Sequence, residues 1–383
     1  MQRKLFAARC LNESVINCYN LIIYLPELFG GKTNMKLGLC LVGAGYIGEK
    51  YAKVFSHISD IQLAVICDED EKRAETLAIN FGFRRIEVDW RKAIDSIDTD
   101  IVCVCTPSSF HYDIVAFAMS LGKQVLCEKP LTLYSKQSFC LAELELDKNI
   151  VAACCYNLIY LPAIQYAKRI VDSHKMGSLV SFRGYYDNDR LSDPYAGYEW
   201  RLSNEYSLGG AIGDLGINII SISQYLFGDI LSVNGCANTV YTKRQDKTKK
   251  MMPVENDDVL HFLMKYKNGA IGSISCNRIA LGSKQDMGFT AQFQKGSIRF
   301  SLERMNEISI CTNESKGFNL INYDDDGWFC IGYEELKERR VKNFLSDVNN
   351  RTIPDTDMVF ASKIDRIIEA VIISLNTGHW IEI

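Results

Sequence analysis

An apolar strand runs directly into three glycines at Leu39-Cys-Leu-Val-Gly43-Ala-Gly45-Tyr46-Ile47-Gly48, and a helical pattern follows with Ile47, Tyr51, Val54 and Phe55 on one face. This spacing constrains the start of the fold. Gly43 permits a tight turn, Gly45 lets a pyrophosphate approach the backbone, and Gly48 lets the helix pack close to the strand. The helix N-terminus then offers free N–H groups to phosphates. A second apolar run, Leu63-Ala-Val-Ile-Cys67, ends in Asp68, about twenty residues on, where an acid takes the hydroxyls of an adenosine ribose. Strand, glycine turn, helix, strand and acid in this order predict a dinucleotide site. A carboxylate where a 2′-phosphate would sit, with no arginine following it, predicts NAD in preference to NADP.

From Met35 the chain alternates. Apolar runs at 37–42, 63–67, 101–105, 124–127 and 150–154 read as strands buried on both faces, with helical patterns near 46–56, 71–81, 111–121 and 135–148. That rhythm predicts an α/β fold opening with a doubly wound parallel sheet, its ligand at the C-terminal strand ends. Beyond a linking helix near 161–173, strands are expected at 179–186, 230–240, 258–265, 270–278, 287–294, 297–301 and 307–311. Asn268-Gly269 and Lys295-Gly296 are turn signals, so a mostly antiparallel sheet is expected. Helices are expected near 211–227 and 357–375. The division is therefore 1–34, an extension; 35–157, a nucleotide-binding domain; and 158–383, a substrate and oligomerisation domain. The extension reads as dispensable, or as an arm covering a partner subunit.

A formal net charge of -4 and the absence of a long basic, aromatic-interleaved stretch argue against nucleic acid. Lys243-Arg244 to Lys249-Lys250 reads as a solvated loop. Leu21–Leu25 is too short to span a bilayer, so no membrane partner is expected. The 14 cysteines are scattered, many inside apolar runs, and none forms a C-x-x-C pair. They read as small buried hydrophobes in a reducing, cytoplasmic compartment. The five histidines are far apart, so no metal site is expected.

Several residues can carry chemistry. In Glu128-Lys129-Pro130 the proline fixes a turn after a short strand. A lysine desolvated there has a lowered pKa and can exchange a proton with a hydroxyl; the bland reading is a surface lysine. Asp214 and Asn218 share a helix face by spacing, although Asp214 also suits a first helical turn. Gly209-Gly210, Gly213 and Gly216 let another body pack closely. His111, in Thr106-Pro107-Ser-Ser-Phe-His111, reads as a partner for a backbone group. Trp200-Arg201, in the loop 187–210, can stack on and hydrogen-bond a polyol, or anchor the loop.

With Gly43–Gly48, Asp68, Thr106–His111, Gly122-Lys-Gln-Val-Leu-Cys-Glu-Lys-Pro130, Asn157, Pro162, Trp200-Arg201, Gly209–Gly216 and, less specifically, Ser275–Gly282, the chain resembles the Gfo/Idh/MocA family of NAD(P)-dependent sugar and cyclitol oxidoreductases. The resemblance runs from Met35 to about the C-terminus. It implies a Rossmann domain followed by an α/β domain whose large open sheet makes the interface of a homodimer or homotetramer. It implies cofactor contacts from Gly43, Gly45, Tyr46, Ile47, Gly48, Asp68, Thr106, Pro107, His111, Glu128, Lys129 and Asn157. Substrate contacts are implied for Lys129, Asn157, Trp200, Arg201, Asp214 and Asn218, with Lys129, Asp214 and Asn218 as the catalytic set, Lys129 in proton transfer and its Lys-Pro peptide often cis. The family's histidine four residues after the acid is Asn218 here, which cannot exchange a proton near neutral pH. The arginine often found two residues after Asn157 is Ile159. Lys129 alone, or Tyr156, Tyr185 or Tyr186, is left to do the acid–base work. The expected activity is hydride transfer between nicotinamide and a secondary alcohol or ketone of a sugar, cyclitol or sugar derivative. The alternatives are a sugar hydrolase or eliminase using NAD transiently, and a non-catalytic NAD-binding sensor.

Overall fold

The computed structural model describes residues 36–148, 150–322 and 332–383; the extension 1–34 lies outside them. In chain order the first half contains β1 (Leu37–Val42), α1 (Tyr46–Ser56), β2 (Ile61–Cys67), α2 (Glu71–Phe81), β3 (Arg85–Glu87), α3 (Trp90–Ile94), β4 (Ile101–Val104), α4 (His111–Ser120), β5 (Gln124–Cys127), α5 (Ser135–Lys148) and β6 (Ala152–Cys154). The six strands form one parallel sheet in the order β3-β2-β1-β4-β5-β6. β4 is buried at every position, as a strand covered on both faces must be. α2 starts where Asp70 accepts from Arg73 N–H and stops at Gly82 in a left-handed conformation. The expected strands and helices are present, with bounds shifted by two residues or fewer. The short β3 and α3 are additions.

The second half contains α6 (Pro162–Asp172), β7 (Leu179–Asp187), a π-helical turn (Ile212–Gly216) leading into α7 (Ile217–Phe227), β8 (Ile230–Asn238), β9 (Lys243–Gln245), β10 (Met251–Pro253), β11 (Val259–Tyr266), β12 (Ile271–Asn277), β13 (Asp286–Phe293), β14 (Gly296–Ser301), β15 (Glu307–Thr312), β16 (Asn319–Asn322), α8 (Tyr333–Asn350), α9 (Met358–Thr377) and β17 (Ile381–Glu382). Nine strands form one sheet, β16-β15-β14-β13-β7-β12-β11-β8-β17. Every pairing in it is antiparallel except β12 with β7. The run 243–250, read as a solvated loop, contributes β9 to a small hairpin with β10.

Burial alternates along β11, so one face of the large sheet is packed and the other open. The packed face carries an aromatic cluster of Phe182, Phe289, Phe293 and Phe300, joined by Phe227 of α7. The open face holds a groove of about 460 Å³ lined by Arg183, Leu263, Lys265, Ile271, Arg299 and Trp380, among others.

α8 carries Glu334, Glu335, Lys337, Glu338, Arg339 and Arg340, and among these charges runs an apolar stripe. Leu345, Phe344 and Val341 share a core with Leu39 and Leu41 of β1 and Tyr51 and Phe55 of α1. Glu334 pairs with Lys50 and Lys53 of α1 at 3.1 and 2.8 Å. A helix that a division at residue 157 assigns to the second domain thus covers the first.

Candidate active site

The glycine turn is built as its spacing requires. Gly43 has φ +103°, and a Cβ there would stand 2.7 Å from the Cys105 main chain; only glycine fits. A Cβ on Gly45 meets nothing within 4 Å, so open space faces the start of α1 where a pyrophosphate would approach. Asp68, at the end of β2, accepts from Ala44 N–H at 2.6 Å and Asp70 N–H at 2.9 Å. It therefore pins the turn. Tyr46 is exposed and Ile47 half-buried. Thr106 Oγ1, Ser109 Oγ and Asn157 Oδ1 are buried without a hydrogen-bond partner. Unpartnered polar atoms at the ends of β4 and β6, beside a glycine turn with open space, fit a polar ligand such as a dinucleotide.

His111 partners backbone groups, as its place in the sequence suggests. It is buried, with Nδ1 at 2.9 Å from Pro130 O and Nε2 at 2.9 Å from Thr106 O. Burial holds its pKa below the usual value against the pull of both carbonyls. The ring braces the 106–110 turn, which Pro107 opens, against the 128–132 turn, and both nitrogens are engaged.

Lys129 precedes a cis Pro130, and Glu128 Oε2 accepts from its main-chain N–H at 3.1 Å. Its Nζ donates to the main-chain oxygen of Asp214 at 3.0 Å. Burial lowers the Lys129 pKa, only partly opposed by Asp214 and Glu128.

Asp214 lies in the π-helical turn, where Ile217 N–H reaches back to Ile212 O. Such a turn frees carbonyls from the ordinary ladder, and Asp214 O is taken by Lys129. The turn starts on Asp257, whose carboxylate accepts from Gly210 and Ala211 N–H at 3.2 and 2.9 Å. A Cβ on Gly210 would stand 2.2 Å from Asp257 O, so the body that packs against the paired glycines is Asp257. Burial raises the Asp214 pKa, but Lys129, Arg190, Arg201 and Arg278 together outweigh it and leave the carboxyl below its usual range.

Asn218 is brought beside Asp214, but through the backbone. Its Nδ2 lies 3.3 Å from both Asp214 O and Leu215 O. The widened turn is why the carboxylate itself is not the neighbour that α-helical spacing suggested. Trp200 and Arg201 share a short 3₁₀ turn, the guanidinium 4.4 Å from the indole centroid. Arg201 Nη1 is 3.8 Å from Glu199 Oε2, and its charge reaches both Lys129 and Asp214.

Burial works against ionisation of Tyr156 and Tyr185. Burial pushes Tyr156 well above its usual pKa, and it packs edge-on against Phe360. Tyr185 lies on the open side of the large sheet, pushed up to about 12 by burial and Asp286. Tyr186 is buried and donates to Gln285. One residue that the sequence did not single out, Arg190, reaches Asp214. Arg190 Nη2 lies 3.0 Å from Asp214 Oδ2 and Nη1 2.6 Å from Glu199 Oε1. No local pattern marks it; the contact joins residues 24 apart. Among the described residues no three or more His, Cys, Asp or Glu side chains are grouped to hold a metal, and no helix is long and apolar enough to cross a membrane.

Known proteins share this architecture. Levoglucosan dehydrogenase of Pseudarthrobacter phenanthrenivorans is 27% identical over 386 residues, covering 91% of this chain and 98% of that protein. The scyllo-inositol 2-dehydrogenase (NAD(+)) of Bacillus subtilis is 24% identical over 283 residues, 73% of this chain and 78% of its own. The structure of levoglucosan dehydrogenase in complex with NADH and L-sorbose superposes with a TM-score of 0.86 at 26% identity, covering 91% of this chain and 99% of that one. Residues 37–154 match the oxidoreductase family with an NAD-binding Rossmann fold, and residues 164–299 match the C-terminal domain of the same family. With both of its domains matched in order, the chain belongs to the Gfo/Idh/MocA family of oxidoreductases, and its first sheet is the family's NAD-binding Rossmann fold.

Proposed function

We propose that the chain is a dehydrogenase moving a hydride between nicotinamide and a secondary alcohol or ketone carbon of a sugar, cyclitol or sugar derivative, with NAD preferred over NADP. The observation that carries this reading is the buried lysine at the end of β5, its pKa lowered and its Nζ 3.0 Å from Asp214 O. Bound at the glycine turn, NAD supplies the hydride acceptor. The chain's own residues supply the rest. In its neutral form Lys129 Nζ accepts the hydroxyl proton as the alcohol is oxidised, and returns it in the reverse direction. Asp214 O holds that nitrogen in place. The ionised Asp214 carboxylate accepts a neighbouring substrate hydroxyl, and the Asn157 and Asn218 amides hydrogen-bond others. Trp200 and Arg201 cover the polyol. The name of the Pseudarthrobacter relative and the L-sorbose complex support a sugar-sized substrate.

The test is purified protein with NAD and a panel including levoglucosan, scyllo-inositol and D-apiose, followed by NADH absorbance and product chromatography together. NADH with a ketone product supports the dehydrogenase. A changed sugar without net NADH supports the hydrolase or eliminase, and bound NAD with no product supports the sensor.

A homodimer or homotetramer is proposed through the open face of the large sheet, where Leu263, Ile271 and Trp380 are exposed. An Ile271→Asp variant should shift to monomer in light scattering; an unchanged mass would place the interface elsewhere. A reducing, cytoplasmic compartment suits Cys103 and Cys105, free thiols whose sulfurs are in hydrogen-bond contact at 3.8 Å.

A further inference from the structure

The loop between β7 and the π-helical turn is fastened to Asp214 by a single guanidinium. Arg190 spans Asp214 Oδ2 at 3.0 Å and Glu199 Oε1 at 2.6 Å. Its own N–H is fixed by Asn188 Oδ1 at 2.8 Å, and Asn188 is in turn buried and donates to Lys284 O at 2.5 Å. The guanidinium therefore projects from an anchored stretch of backbone.

The charged groups around Asp214 come from three places. Lys129, with Glu128 beside it, comes from the turn after β5. Arg190, Glu199 and Arg201 come from the loop, and Arg278 from the residue after β12. These cations have different attachments. Lys129 rests on a carbonyl. Arg201 stacks on Trp200. Arg278 is buried against Asp258 and Asn256. The carboxylate of Asp214 is hydrogen-bonded by Arg190.

We propose that Arg190 is a positioning residue: it keeps the Asp214 carboxylate ionised and turned away from the Lys129 ammonium, and by holding Glu199 it draws Trp200 and Arg201 over the substrate. This rests on the dehydrogenase reading of the Lys129–Asp214 pair. The Arg190 and Asp214 side chains are 43% and 22% exposed, so the ion pair contributes little to global stability. Its effect falls on the two titrating groups next to it. Without Arg190 the Asp214 carboxyl loses an opposite charge and its pKa rises. The freed carboxylate can then turn onto Lys129, which raises the lysine pKa and leaves less neutral amine to take a proton.

The experiment compares wild type with Arg190→Gln, Arg190→Lys and Glu199→Gln. Levoglucosan and scyllo-inositol serve as substrates with NAD. For Arg190→Gln, the rising limb of kcat against pH should move up by about one pH unit. At neutral pH kcat should fall about tenfold, because the neutral lysine fraction falls in proportion, while NADH affinity and Tm hold. Arg190→Lys should restore most of the limb but leave KM raised, since an ammonium cannot span two carboxylates. Glu199→Gln should raise KM without moving the limb.

A second readout needs no turnover. In protein labelled with 13C at the aspartate carboxyls, the Asp214 resonance, assigned by its loss in Asp214→Asn, should titrate at higher pH in Arg190→Gln. An unmoved limb, or in the absence of turnover an unmoved Asp214 titration, overturns the inference about Arg190. Undiminished turnover in Lys129→Met overturns the proton-transfer reading of the Lys129–Asp214 pair instead, and the carboxyl titration then decides Arg190 by itself.

Discussion

The ammonium of Lys129 rests on the main-chain oxygen of Asp214, 3.0 Å away, while the carboxylate of the same residue is held by Arg190. One residue thus provides two acceptors with separate tasks. The carbonyl receives the lysine, and in the proposed reaction the carboxylate receives a substrate hydroxyl.

Lys129→Met should keep NADH affinity within a few-fold and lower kcat by roughly 10²–10⁴, the usual scale of general acid–base help. Because burial lowers the lysine pKa, wild-type alcohol oxidation should rise with pH through a value below that of a free lysine. The methionine variant should lose that limb. A full-rate variant with the same profile would remove Lys129 from the reaction.

Two glycine substitutions should separate folding from cofactor binding. Gly45→Val places its Cβ in open space, so Tm should hold within a degree or two while NADH binding, followed by fluorescence, is lost. Gly43→Val meets the Cys105 main chain at a positive φ, and should cost stability by several kcal/mol in order of magnitude. Equal Tm losses in the two variants would contradict the assigned geometry.

Asp68→Ser removes the carboxylate that we propose meets the ribose hydroxyls, and the acceptor of Ala44 N–H at 2.6 Å. Hydrogen bonds to a charged group contribute about 1.5–3 kcal/mol. The preference for NAD over NADP should therefore fall by about 10–100-fold, read from the ratio of kcat/KM values. Wild type that binds NADP more tightly than NAD would refute this role for Asp68.

Asp365 on α9 should make the protein less stable as pH rises. Its Oδ2 accepts from Thr132 N–H at 2.9 Å and Ser138 Oγ at 2.5 Å, while Oδ1 is buried without a partner. Burial pushes this carboxyl up to about 7, against about 3.9 in an unfolded chain. Between those values the folded state binds more protons than the unfolded one, so stability falls with rising pH and the penalty is complete above about 7. Asp365→Asn should remove that slope, gaining on the order of 2–4 kcal/mol at pH 8 and little at pH 4. Calorimetry across this range that gives parallel curves for both proteins would count against it.

Much of the first sheet could be read from local pattern. The turn at Gly43–Gly48 and the helices Tyr46–Ser56 and Glu71–Phe81 follow from glycine spacing, capping and periodicity within a dozen residues. Elements of three and five residues, such as β3 and α3, carry too few positions for a period to register. α8 has an apolar stripe at Leu336, Val341, Phe344 and Leu345, but a run of acids and bases obscures it. Within the site, Lys129 and Asp214 were legible as residue types. Their relationship was not, because an inserted π turn changes which atom of Asp214 points at Lys129 and Asn218. Arg190 was silent for a similar reason. Its partners are chosen by loop closure, which no periodicity encodes.

The return of α8 to α1 has a consequence for the order of folding during synthesis. Chains emerge from the N-terminus and domains usually fold as they appear. Here Tyr51 and Phe55 wait for Val341 and Phe344, so the nucleotide-binding sheet keeps an uncovered apolar flank until nearly the whole chain has been made. The first sheet to emerge is among the last to be completed. Any fragment ending before residue 333 would carry that flank into solution as a site for aggregation.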